Sequence, residues 1–292
     1  MRERRMPEVL PDLPLTVYTP ESPLRYPVAL VKVMLHDLAS SRELAWRLFV
    51  RDTSAPYRQS LLGYVWLFIP PLVLGLPFVF LNAQGVISIE GTTIPYPAFV
   101  IIGTTSWQAF ADALLSPIKT VTTSKAMLLR VNFPRESILL AGLGQVLFAA
   151  LIRMLLVLFV ILWFELTPPV NAWLFPLGIL SLIAVGFMLG VLLVPVGVLF
   201  GDVQQGLPIL ATFLMLLTPV LYPQPETGVA AAVAKWNPLT PLITVTRDSL
   251  TTGSADQVPA FLVVTGAGLV LLFVAWVLYR LALPHVIARL GN

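Results

Sequence analysis

Apolar residues fall along this chain in six long runs, at about 61 to 81, 94 to 115, 137 to 164, 172 to 200, 207 to 222 and 259 to 283, separated by short polar connections. A helix rises about 1.5 Å per residue, so roughly 20 apolar residues cross about 30 Å of hydrocarbon. The pattern predicts an all-α polytopic membrane protein of six transmembrane helices, an even number that returns both termini to one side. The fifth run is short: 16 residues, Leu207 to Tyr222, with Pro219, Pro223 and Pro225 crowding its end. Beyond it, Glu226 to Asp256 is moderately apolar and broken by Asn237-Pro238 and Thr240-Pro241. This predicts either two short re-entrant helices, tolerated where protein or a watery cavity satisfies their backbone, or an ordinary exported loop. In the first run Pro70 and Pro71 remove two backbone donors, which predicts a mid-span kink and a hinge. Gly186 to Gly190 and Gly197 to Gly201 have the small-xxx-small spacing of closely packed helices.

The polar connections are patterned too. Glu43, Arg47 and Arg51 follow at i, i+4 steps while Leu44, Ala45, Trp46, Leu48, Phe49 and Val50 fill the rest of the wheel. That predicts an amphipathic helix within 40–56 lying in the membrane interface, or a soluble helix packed on a partner. Ser116 to Glu136 holds Lys119, Lys125, Arg130 and Arg135 among threonines, with Met127, Leu128, Leu129 and Val131 as an apolar patch. Pro134 before Arg135-Glu136 resembles a helix start, with an acid near the positive dipole end. A short amphipathic helix on the cytoplasmic face is predicted there, with a solvated loop as the alternative. The chain thus divides into a cytoplasmic segment 1–39, the interfacial helix 40–56, a membrane domain 57–283 and a tail 284–292.

Charge orients this arrangement. Of 18 Lys and Arg residues, 15 lie before the first run, in the connection after the second, or from Arg280 onward. The positive-inside rule puts those three places, and both termini, in the cytoplasm. The connections at 82–93 and 165–171 carry only Glu90 and Glu165, as short exported loops do. Some 60 polar and basic residues precede Leu61, so the first run is expected to be a mature span and not a signal peptide. Hydrophobic residues make up 57% of the chain and charged ones 11%, with mean hydropathy +0.87, which excludes an ordinary soluble domain. A formal charge of +3 is accounted for by basic flanks beside anionic membrane lipid, so no nucleic-acid partner is expected. The absence of cysteine excludes disulfides, Cys-ligated metal and thiol chemistry.

Candidate chemistry is sparse. No phosphate loop, zinc helix or nucleophile elbow occurs, and His36 and His285 stand far apart in sequence. No metal site or catalytic residue is expected. Arg153, midway along the third run, is the ionisable exception, since a mid-span cation costs at least about 2.5 kcal/mol and needs a partner or a wet cavity. Asp112 near the end of the second run is one candidate partner and a substrate phosphate the other. Tyr64, Trp66, Phe68, Phe78, Phe80, Trp107, Phe110, Phe213 and Tyr222 give the first, second and fifth runs many aromatic faces. Such faces suit sugar rings, although Trp and Tyr also form interfacial belts in any membrane protein.

Four stretches, taken in order, carry a family likeness: Tyr57-Arg58-Gln59-Ser60-Leu61-Leu62-Gly63-Tyr64-Val65-Trp66, Val131-Asn132-Phe133-Pro134-Arg135-Glu136, Leu217-Thr218-Pro219-Val220-Leu221-Tyr222 and Asn237-Pro238-Leu239-Thr240-Pro241. Together they resemble the membrane subunit of ABC-2 type polysaccharide exporters, the O-antigen, capsule and teichoic-acid permeases. The resemblance covers about residues 40 to 283. It implies a six-helix half-transporter that pairs with a second copy and with two ABC ATPase subunits, which would hold the ATP and magnesium this chain does not bind. It implies that Lys119, Lys125, Arg130, Arg135 and Glu136 belong to a coupling helix that receives ATPase motion. Arg58 would then stand at the lipid-head entrance, the nine aromatics would line the glycan path, and re-entrant helices would gate the exterior. The chain departs from the family pattern at Gly201-Asp202, where Arg-Asp is usual, and at Pro56, where a basic residue is usual.

These readings lead to one expectation: the transmembrane subunit of an ATP-driven exporter that moves a lipid-linked polysaccharide across a bacterial inner membrane. The alternatives are an ABC-2 permease for drugs or small lipids, a secondary transporter, a self-contained channel or a membrane-embedded enzyme.

Overall fold

The computed structural model describes residues 27–290 except 57, 59, 90, 131, 132 and 255. Tyr57, Gln59, Val131, Asn132, Glu90 and most of the 1–39 segment, with Arg2, Arg4, Arg5 and Arg25, therefore lie outside the described residues. Every regular element among those described is helical. In chain order they are α1 (Pro27–Ser40), α2 (Arg42–Ser54), a 3-10 turn (Gly63–Leu67), α3 (Ile69–Ala83), α4 (Tyr96–Thr123), α5 (Lys125–Arg130), α6 (Glu136–Trp163), a second 3-10 turn (Val170–Trp173), α7 (Leu174–Leu199), α8 (Gly201–Leu217), α9 (Gly228–Trp236), α10 (Leu239–Asp248) and α11 (Val258–Leu290).

Each apolar run became a helix, but their lengths divide. Among the described residues α4, α6, α7 with its preceding turn, and α11 are long and apolar enough to cross a membrane. The first and fifth runs yield the shorter α3 and α8, of 15 and 17 residues. Length and composition alone thus mark four candidate spans among the described residues, with α3 and α8 as shorter apolar helices where the other two of the expected six fall. The first run loses its start to the 3-10 turn, because Pro70 and Pro71 stand in the opening turn of α3. A proline is harmless where the amide has no helical partner. The expected mid-span kink is therefore replaced by a helix start, and Pro77 is the proline inside α3.

The bundle is built around α4, which packs against α3, α6, α7, α8 and α10. It is the least apolar of the four long helices and the most buried. In water this order would be inverted; in lipid, small and hydroxyl-bearing residues serve helix contacts while the most apolar helices face the hydrocarbon. The hydroxyls of Thr104, Ser106 and Thr120 donate back to the carbonyls of Val100, Ile102 and Ser116, and Ser116 also reaches the Gly142 carbonyl of α6 at 3.1 Å. On the α7 side, Gly186 and Gly190 lie so close to α4 that an added Cβ would fall 2.5 Å from the carbonyl oxygens of Phe110 and Leu114. The expected small-residue contact is real there. It extends to Gly197 against Ile118 but not to Gly201, which faces open space.

The helices run alternately, so the molecule has two chemically different ends. At one end stand α2, the end of α4, α5, the starts of α6 and α8, and the end of α11, with Arg42, Arg47, Arg51, Lys119, Lys125, Arg130, Arg135, Arg280 and Arg289. The opposite end holds the start of α4, α9, α10 and the loop before α11. Helices α6 and α7 touch little along their lengths and leave two apolar grooves. One, of about 780 Å³, is roofed by α2; the other, of about 450 Å³, is bounded by α11.

Candidate functional site

Helix α2 forms where the charge periodicity placed an amphipathic helix. Glu43 and Arg47 pair at i, i+4 on the exposed face, whereas Arg51 turns to its neighbour Asp52. Ala45 and Leu48 are buried toward α6, and the Phe49 ring meets Phe148 edge-on at 6.2 Å. Trp46 and Val50 remain exposed beside this contact. Arg58 is exposed just beyond the helix, its amide bonded to the Ser54 carbonyl.

The connection between the second and third runs is mostly helical. Helix α4 continues to Thr123, seven residues past Ser116, and α5 follows as a six-residue helix. Lys119 and Arg130 are exposed, and Lys125 and Arg135 are half-buried. Glu136 differs: it is 4% exposed, and its carboxylate accepts a 2.9 Å hydrogen bond from Arg280 of α11. It is therefore an internal tie between α6 and α11, unlike the four basic residues with which the resemblance groups it.

Arg153 and Asp112 meet inside the bundle. The Arg153 guanidinium, 3% exposed, donates to Asp112 Oδ2 at 2.6 Å and to the Leu67 carbonyl at 2.9 Å, and Gln108 donates to the other Asp112 oxygen at 2.8 Å. One cation thus ties α4, α6 and the turn before α3. Sequence left open whether Arg153 served a carboxylate or a ligand; here the carboxylate occupies it.

The nine aromatics separate by burial. Trp107 and Phe110, rings 5.0 Å apart, are fully enclosed in the core of the chain. Tyr64, Trp66, Phe80 and Phe213 are exposed, while Phe68, Phe78 and Tyr222 are half-buried. Tyr64 lies edge-on to Phe148 at 5.5 Å, and the Tyr222 hydroxyl donates to the Leu216 carbonyl.

Two of the four quoted motifs meet at the end opposite the basic one. After α8 the chain turns through Thr218 to Tyr222, and Asn237 donates to the Thr218 hydroxyl at 2.8 Å. Tyr96 donates to the Leu221 carbonyl, and an added Cβ on Gly103 would strike the Val220 carbonyl oxygen. Arg247 of α10, 3% exposed, donates to the Pro219 carbonyl at 2.9 Å, sits 3.9 Å above the Phe99 ring and pairs with Asp248 at 3.4 Å. Sequence reasoning missed this residue because it lies in a stretch that also reads as a loop. A cation among Leu242, Ile243 and Val245 was the available signal. Arg247→Gln should cost about 2 kcal/mol, from the lost cation–π contact and a weakened bond to Pro219. Thermal unfolding in detergent reads that loss; an unchanged midpoint would show that the Thr218 to Tyr222 turn is held by its other contacts.

A profile of the ABC-2 type transporter family matches residues 43–251. The chain belongs to that family. Its similarity to characterised proteins spans most of both chains. It is 26% identical over 216 residues to the O-antigen export system permease protein RfbA of Myxococcus xanthus, covering 72% of this chain and 81% of that protein. Two Klebsiella pneumoniae proteins with the same description are 23% and 22% identical over 211 and 209 residues, covering 79% and 78% of their lengths. The ABC-2 match takes in the Arg153–Asp112 pair, the α4–α7 contact and the Arg247 cluster. It leaves out α1 and α11, and with them Asp37 and Arg280.

Proposed function

We propose that this ABC-2 protein is the translocation subunit of an ATP-driven exporter, carrying a lipid-linked, O-antigen-like polysaccharide from the cytoplasmic to the outer side of a bacterial inner membrane. The observation that carries this reading is the family match together with relatives that are O-antigen export permeases over more than three-quarters of their length. ATP and magnesium belong to two copies of a separate ABC ATPase, consistent with a sequence that has no phosphate loop. The basic end is the cytoplasmic end, with both termini on that side. There Lys119, Lys125, Arg130 and Arg135 receive the ATPase, and Arg58 meets the anionic lipid head.

A second copy completes the path. Helices α3 and α8 flank α4 and leave Val73, Leu76 and Phe80, and Ile209, Phe213 and Leu216, exposed. Pairing across these faces would enclose aromatics that let sugars slide, with α9 and α10 as the re-entrant exterior gate. Transport needs no catalytic residue in this chain, and its described residues hold no group of three potential metal ligands.

Deletion of the gene tests the reading, with glycan stained separately on intact and permeabilised cells. Loss from the surface with accumulation inside is the expected result; unchanged surface glycan would favour a permease for drugs or small lipids.

A further inference from the structure

Helices α6 and α11 are held apart along most of their length. The groove of about 450 Å³ between them is lined by Leu139 and Leu143 on one side and Leu272, Phe273 and Trp276 on the other. They are pinned at the basic end, and by two consecutive residues each. Tyr279, 1% exposed, directs its hydroxyl to the Arg135 carbonyl at 3.4 Å, and Arg280 donates through Nη1 to Glu136 at 2.9 Å. The other arm of the same guanidinium, Nη2, binds the Asp37 carboxylate of α1. A planar guanidinium is the side chain that can serve two carboxylates from two directions at once.

The position of this fork matters more than its strength. Glu136 is the first residue of α6, so it is also the last residue of the segment that begins with α5. A push on α5 or on Arg135 arrives first at Glu136. The groove between the apolar faces of α6 and α11 is floored by Leu180, Ile183 and Phe187 of α7, which packs along α11, and the fork and the adjoining Tyr279 contact are the direct polar link from the start of α6 to α11 among the described residues. The same cation links it to α1. Both linked helices lie outside the family match, so the fork joins the shared ABC-2 body to the two elements that flank it. It differs from the Arg153 pair at the cation: the Arg280 side chain is 24% exposed against 4% for Arg153, while the acids Asp37 and Asp112 are alike at 27% and 26%. Partial access to water lets such a contact open and close during a cycle where a fully buried one would only lock.

We infer that Arg280 is a positioning residue for energy coupling, which makes α1, α6 and α11 move together with the segment between α4 and α6. This rests on the reading of that segment as the place where the ATPase acts. The test uses the full chain, tagged, in a host whose own copy is deleted, with three readouts: chain accumulated in the membrane, ATP hydrolysis by the copurified complex, and surface polysaccharide. Arg280→Gln should accumulate and hydrolyse ATP within about twofold of the wild type, while surface polysaccharide falls by at least about tenfold. Arg280→Lys, which keeps the charge but not the two-armed guanidinium, should restore export only in part.

A purely structural role would lower hydrolysis and export in parallel with chain level, and that result, or normal export by Arg280→Gln, overturns the inference. If Arg280→Gln does not accumulate, Asp37→Asn carries the same test, because it leaves the Arg280–Glu136 bond in place. It should raise the ATP spent per unit of polysaccharide exported, and an unchanged ratio overturns the inference. A wild-type chain that copurifies with no ATPase would remove the coupling reading itself, an outcome distinguishable because it precedes any substitution.

Discussion

Arg153→Met is expected to be among the most damaging single substitutions in the chain, costing about 3–5 kcal/mol, because it leaves the Asp112 carboxylate inside the bundle without its cation. Asp112→Leu should cost a similar amount for the opposite reason, a guanidinium left with only the Leu67 carbonyl. The double substitution, Arg153→Met with Asp112→Leu, should recover most of the loss, since an apolar pair of similar size needs no desolvation in a lipid-embedded bundle. Unfolding of the two singles and the double in one detergent, read as a double-mutant cycle, measures the coupling directly. A double as unstable as either single would mean that the bonds to Leu67 and Gln108, rather than the ion pair, hold this junction of α4, α6 and the α3 entry together.

That pair was legible in the sequence for a physical reason: a cation in mid-span has nowhere to go in hydrocarbon, so its partner can be sought among the few acids at similar depth. The helices were legible because six apolar runs tolerate little else in a membrane. What length alone could not reveal was where helices stop. Helix α4 continues past its apolar run through Ser116 to Thr123, and α8 begins at Gly201, six residues before its run. A helix need not end where the hydrocarbon does. Pro70 and Pro71 show the converse, since their cost vanishes in a first turn and only the chain's path decides whether they stand in one.

The sites that were missed are long-range. Arg280 and Glu136 lie 144 positions apart and Arg247 and Pro219 28 apart, and no local periodicity links either pair. Arg280 reads as one more positive-inside charge until α11 delivers it to α6. Trp107 and Phe110 read in sequence like the other aromatics until α4 is seen to be the central helix, which buries both rings within the chain. Phe80 and Phe213 instead stand on the exposed faces of the two short helices, away from α4.

The closeness of α4 and α7 yields the second large effect. Gly186→Val should destabilise the protein by about 3 kcal/mol or prevent its accumulation, because the new Cβ would lie 2.5 Å from the Phe110 carbonyl oxygen and 3.1 Å from the Ala113 Cβ. Neither neighbour can swing away, since one is helix backbone and the other a methyl rooted in it. The two helices must separate, and because α4 also carries α3, α6, α8 and α10, a shift there spreads through the bundle. Gly206→Ala is the control: nothing lies within 4 Å of its added Cβ, and removing a glycine from a helix interior should stabilise α8 by about 0.5–1 kcal/mol. Membrane accumulation, unfolding in detergent and surface polysaccharide should all fall for the first and hold for the second. Equal behaviour of the two would mean that α4 and α7 approach less closely in the bilayer, and that the small-residue spacing along α7 has no bearing on how the helices pack.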